Sequence, residues 1–199
     1  YLGLGSIGLT NKENKKSLEY FEKALTYCGP KDFILKSAAI GNISGIYYQD
    51  ATKFDRFIGE DQRIDTPRLK KSISYSLQAY EIAKNNNLEA KIKSTVSNLT
   101  MEYTDLGKFD SASFYLSILE KLNTENPSPQ YNLVIADRSA RLYKAKGNFE
   151  KAIAGYKSAI AIAEELGDLS WVSEGYLAVA ESYDANKEYK MQLIIINFT

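Results

Sequence analysis

Apolar residues recur along this chain at helical spacing, in stripes broken by short polar turns. Val134, Ala136, Ala140 and Tyr143 mark one stripe. Gly147 interrupts it, and Phe149, Ala152, Ile153, Tyr156, Ala159 and Ile160 mark a second. Two amphipathic helices joined by a tight turn make a helical hairpin. Ala140 and Ala152 carry no bulk beyond Cβ, so the spacing predicts that the two helices approach closely there. Tyr143, Phe149 and Tyr156 are then expected to fill the wedge between one hairpin and the next.

The hairpin is one copy of several. Tyr103, Tyr143 and Tyr183 stand forty residues apart and open YTDLGKFDSA, YKAKGNFEKA and YDANKEYKMQ. An aromatic follows six residues after each (Phe109, Phe149, Tyr189), and position nine holds Ala112, Ala152 and then Gln192. A fixed period of this length is the mark of stacked repeats. KKSLEYFEKAL from Lys15 and KKSISYSLQAY from Lys70 carry the second-helix register further upstream. Ser17, Ser72, Ala112, Ala152 and Gln192 occupy one position, at intervals of 55, 40, 40 and 40. The pattern predicts about five hairpins, over residues 1–30, 33–86, 87–127, 128–167 and an incomplete 168–199. Ser128-Pro129 and Thr66-Pro67 read as a cap followed by proline at the first helical position. Asn87 and Asp168 read as caps, and Gly29-Pro30 as a helix stop.

Ala140, Tyr143, Gly147, Phe149, Ala152, Tyr156 and Ala159 together resemble the tetratricopeptide repeat (TPR) pattern. The preceding copy matches at Leu99, Tyr103, Gly107, Phe109 and Ala112 and departs at Leu116 and Leu119. The following copy keeps Ala180, Tyr183 and Tyr189 but has Lys187 in place of the glycine. The resemblance implies an all-α fold, a right-handed superhelical solenoid of antiparallel helical hairpins with about five repeats. The usual repeat has about 34 residues. The longer form resembles repeats in bacterial regulatory and sensor proteins. In this family the first helices line a concave groove that takes protein or peptide ligands. The groove candidates carried over are Asn98 and Met101, then Arg138, Arg141 and Lys144, then Glu181. Of the five polar positions with which co-chaperones of the family grip a terminal carboxylate, Asn98 and Arg138 fill two, while Gly41, Gly45 and Val134 fall on the others. That match is too sparse for a chaperone-tail adaptor.

The long interval before Ser72 marks an insertion near residues 51–67, which holds Phe54, Phe57 and Ile58. It reads either as an extended helix end plus a loop covering its own aromatics, or as a partner contact on a rigid scaffold.

Charge divides the groove candidates between two readings. Arg138, Arg141 and Lys144 share a helix face, and so do Glu174, Glu181 and Asp184 one hairpin on. Arg141 opposite Glu181 and Lys144 opposite Asp184 would form a salt ladder. Alternatively, Arg138 and Arg141 hold a carboxylate or an acidic peptide, since guanidinium forks match carboxylates bidentately.

Composition trims the remaining function classes. Twenty-five basic and twenty-five acidic residues cancel, so no long-range field favours nucleic acid or an anionic membrane. No apolar run is long enough for a membrane span. The chain has no histidine and a single cysteine, Cys28. The commonest general base is absent and no thiolate zinc site can form. LGLGSIG at Leu2–Gly8 lies inside a helical pattern, not after a strand. Paired carboxylates occur at Glu60-Asp61 and Glu164-Glu165, and the second pair reads as a solvated edge, since neighbours on a helix point about 100° apart. No cofactor or metal is expected, and no enzyme activity.

The expectation is a protein- or peptide-binding scaffold, the interaction or sensing part of a larger bacterial regulator. The alternative is a structural module that self-associates through the insertion or its C-terminal end. A first residue that is Tyr1 and a final copy that stops at Thr199 suggest a fragment. The expected location is cytoplasmic, with an extracytoplasmic sensor region as the other option.

Overall fold

The structure, a computed structural model, describes the backbone of residues 1–11, 13–52 and 64–198, with side chains as far as residue 187. All regular structure among the described residues is helical. The elements are α1 (Leu2–Thr10), α2 (Asn14–Tyr27), α3 (Phe33–Ala51), α4 (Thr66–Asn85), α5 (Glu89–Asp105), α6 (Phe109–Glu125), α7 (Pro129–Ala145), α8 (Phe149–Leu166) and α9 (Leu169–Phe198). They fall into two compact units, Tyr1–Leu106 and Gly107–Thr199.

From α5 onward the helices begin at residues 89, 109, 129, 149 and 169, a strict twenty-residue restart. The turns explain it. Asn87, Gly147 and Gly167 take left-handed φ of 53°, 76° and 70°. Each ends its helix in the same double hydrogen bond. Asn148 N donates to Tyr143 O at 2.9 Å and Gly147 N to Lys144 O at 2.9 Å, with matching pairs after α4 and α8. This is the Schellman motif, which satisfies carbonyls left open by the last turn. Gly107 has the same left-handed φ, 72°. The one restart without such a residue falls at Pro127, whose ring forbids it. There the buried side chain of Asn123 accepts from Ser128 N at 3.0 Å and donates to Asn132 Oδ1 at 2.7 Å, holding α6 to α7.

In the first unit consecutive helices pack from α1 to α5, and α5 also reaches α3. Phe21, Ile43 and Ile46 form a buried cluster flanked by Leu2, Leu9, Leu18, Leu25, Tyr47 and Tyr75. Full burial of a side chain such as Phe21 contributes about 2–3 kcal/mol. In the second unit α7 packs on α8 and α8 on α9. Ala140, Ala152 and Tyr156 form one cluster there, and the two alanines are fully buried at the helix crossing, as their size predicts.

Several details differ from the pattern. Tyr143 and Tyr183 are 38% and 51% exposed, so Tyr156 is the tyrosine that fills the wedge, at 4%. Lys151 and Lys157 instead lie over the two exposed rings. The cap of α4 is Asp65, which accepts from Arg68 N at 3.0 Å, not Thr66. Asn87 is a helix stop, not a cap, while Asp168 does cap α9 by accepting from Trp171 N at 3.2 Å. Most plainly, α9 runs unbroken through Lys187. Without a glycine to turn left-handed, nothing there reverses the chain.

The insertion is narrower than its sequence bounds. Ala51 still belongs to α3 and Thr66 already to α4. Asp65 N donates to Ala51 O at 3.0 Å, so the chain leaves the α3–α4 hairpin and returns to it at one point. Phe54, Phe57 and Ile58 lie outside the described residues.

Candidate functional site

The groove candidates divide between the two units. Asn98 and Met101 sit on α5 in the first, both half-buried. Arg138, Arg141, Lys144 and Glu181 sit on α7 and α9 in the second, where the structure brings charges together.

Arg138 is built into the face of α7. Its guanidinium pairs with the carboxylate of Asp137, with side-chain exposures of 14% and 18%. It also lies over the Trp171 ring of α9, 5.9 Å from the centroid. Its Nε is buried without a partner. The cation–π contact restrains the guanidinium, and the adjacent carboxylate lowers the net charge of the site. Lys144 reaches across to α9 and bonds Glu181 at 2.7 Å. The sequence register pairs Lys144 with Asp184; the observed bond falls one turn earlier. Because this pair is partly exposed, it is worth about 0.2–1 kcal/mol. Beneath these charges lies Tyr156. Burial, reinforced by Asp137, pushes its phenol well above the ordinary tyrosine value.

The first unit holds a polar cluster that the sequence reading did not identify. Glu102 on α5 is 1% exposed. Three serine hydroxyls converge on its Oε1: Ser72 at 2.6 Å, Ser44 at 2.8 Å and Ser76 at 2.9 Å. Its Oε2 is buried with no partner. Burial drives the Glu102 carboxyl above the usual carboxylate range, and the serines only partly oppose this. On the same helix Asp105 accepts from the Tyr48 hydroxyl of α3 at 2.6 Å.

Register relates this cluster to the second unit. Ser44, Ser72 and Ser76 occupy the places of Ala140, Ala152 and Tyr156, and Glu102 that of Ser182 two periods on. Ser182 is also fully buried, its hydroxyl donating to Ala178 O at 2.6 Å. One unit therefore fills its three-helix junction with a phenol from the middle helix and a small residue from the third. The other uses a small residue from the middle helix and a carboxyl from the third. The signal in the sequence was Ser72, a hydroxyl at a position where two later copies carry alanine.

Among the described residues no three histidine, cysteine or carboxylate side chains are grouped to hold a metal ion. No described helix is long and apolar enough to cross a membrane. No protein-family model and no curated protein matches the chain.

Proposed function

We propose that this chain is a TPR-like array of about five helical hairpins, stacked as a right-handed solenoid, that binds protein or peptide ligands. The observation that carries the reading is the twenty-residue restart from α5 to α9, with Schellman turns after α4, α7 and α8. Helices that restart at one interval, most of them after the same kind of turn, are what a stacked repeat produces, and such arrays offer long surfaces for ligands. The candidate contact is the α7 face. Stacking on Trp171 holds the Arg138 fork in place, which lowers the ordering cost of gripping a carboxylate. In this reading the chain is the interaction or sensing part of a larger bacterial regulator and has no catalytic role.

Panning a random peptide display library on the immobilised chain tests the proposal. Peptides rich in carboxylates should be enriched, and the variant carrying both Arg138→Ala and Arg141→Ala should lose them while keeping its helical circular dichroism. No enrichment, or equal retention by the folded double variant, overturns it.

One observation favours self-association as a second reading. Leu169, Tyr176 and Tyr183 are spaced by seven along α9, and they are 79%, 58% and 51% exposed. Sedimentation over a hundredfold concentration range should show dimerisation that Tyr176→Ser abolishes; a constant monomer sinks this reading.

A further inference from the structure

The cluster around Glu102 does something that its counterpart in the second unit does not. In the second unit Ala140, Ala152 and Tyr156 pack together, and the register place of Glu102 is held by the buried hydroxyl of Ser182, not by a carboxyl. The fold therefore has a way to close this junction without a buried carboxyl, and the first unit closes it with one.

Hydrogen-bond accounting decides which form of Glu102 fits. An ionised carboxylate spreads its charge over two oxygens and seeks donors at both. Here all three hydroxyls address Oε1, while Oε2 is buried and bare. Leaving a charged oxygen unpaired in the interior is far costlier than leaving a neutral carbonyl so. Neither lysine nor arginine pairs with Glu102 among the described residues, and the charge that acts on it, Asp105, is of the same sign.

The serines have an alternative when the acid is neutral. Ser44 Oγ lies 2.9 Å from Ser72 O, and Ser72 Oγ lies 2.9 Å from Ser44 O. Both hydroxyls can donate to these carbonyls, binding α3 to α4 reciprocally. Their lone pairs are then free to accept from a protonated Oε1, and the 2.6 Å separation to Ser72 suits an O–H···O bond. Every hydrogen in the cluster then has an acceptor, and the bare oxygen is a carbonyl.

The geometry points to Glu102 as a proton-linked latch: held as the neutral acid, it ties α5 to α3 and α4, and loss of its proton loosens the first unit. The titratable neighbours from the packed elements are Tyr48 on α3, engaged with Asp105, and Tyr103 and Asp105 on α5. On α4, Lys71 and Tyr75 are both turned to Tyr47. None supplies a counter-charge to Glu102. The sign follows directly. In the unfolded chain Glu102 ionises near 4.5, whereas the folded unit keeps the proton to higher pH. Folding takes up a proton between those values. The latch is fully closed below the lower value, and its contribution is lost as pH rises through the upper one.

Thermal unfolding of the full chain from about pH 4 to about pH 8 tests the latch, with Glu102→Gln as the isosteric neutral comparison. The melting temperature of the wild type should fall relative to Glu102→Gln by about 4 °C or more across that range, and the two curves should meet at the acid end. Parallel profiles overturn the proposal. Should Glu102→Gln fail to fold, infrared difference spectra of the wild type decide. A protonated-carboxyl stretch persisting above about pH 6 supports the latch, and its absence at that pH overturns it.

Discussion

Gly175 of α9 lies so close to Ile160 of α8 that a Cβ built on it would stand 2.5 Å from Ile160 Cγ1. Gly155 repeats the arrangement one crossing earlier, where a Cβ would meet that of Ala140 at 2.9 Å. At these points the backbone itself is the packing surface. Gly41 and Gly45 on α3 differ, because a Cβ at either meets nothing within 4 Å. The same substitution should therefore change sign with position. Gly175→Ala should destabilise by about 1–3 kcal/mol through overpacking. Gly41→Ala and Gly45→Ala should each stabilise by about 0.5–1 kcal/mol by removing backbone freedom from a helix interior. Urea denaturation of the three variants checks the contrast, and equal signs would refute it.

Spacing alone located the hairpin of α7 and α8, since Ala140, Gly147 and Ala152 each have one physical reason to be where they are. It did not locate the Gly155 and Gly175 contacts. A glycine inside a helix pattern is ambiguous until the neighbouring helix is placed against it. Nor did it warn that the final hairpin is unbroken, although Lys187 in place of glycine was visible. The Arg138 site was half legible: the charges share a face by periodicity, but the Trp171 stacking needs α9 to be positioned in space. The Glu102 cluster was the least legible. Serine at the small-residue positions 44 and 72 reads as permissive packing, and only the meeting of three helices joins these two with Ser76 into a cage.

Tyr156 carries a prediction at alkaline pH. Its phenol is buried and resists ionisation in the folded second unit, while in the unfolded chain it ionises near 10.0. Folding therefore retains a proton above that pH. The contribution of Tyr156 is fully present below 10.0 and is lost as pH rises beyond it. Tyr156→Phe should flatten the alkaline limb of the stability curve while costing little at neutral pH. Denaturant midpoints measured between about pH 8 and about pH 11 give the comparison, and an unchanged alkaline slope would count against the assignment.

The ends of the insertion make a third prediction. Ala51 O and Asp65 N are hydrogen-bonded at 3.0 Å, and Asp65 also caps α4. A short link can therefore replace residues 53–63 without moving either helix. Shortening a loop lowers its closure entropy, by about 0.6 kcal/mol per halving. A variant with a glycine-containing link and Asp65 retained should melt within a few degrees of the parent. Removing Asp65 as well should cost about 1 kcal/mol more, the worth of the cap. If the shorter deletion alone abolished cooperative unfolding, the inserted segment would have to be part of the core.

The two junctions suggest a final test of register. In the second unit the buried Tyr156 and Ser182 hold the register places that Ser76 and Glu102 hold in the first. Ser76→Tyr alone forces a phenol into a site that Glu102 already fills, and overpacking of this kind costs about 1–3 kcal/mol or more. Glu102→Ser alone removes the carboxyl arm and leaves a void beside three hydroxyls. Made together, the two changes copy the solution of the second unit into the first. They should couple favourably by about 1–3 kcal/mol, because each relieves the defect created by the other. A double-mutant cycle by chemical denaturation at a pH below 4.5, where folded Glu102 keeps its proton, measures the coupling. Simple additivity would show that the junctions are alike in sequence register and not in packing.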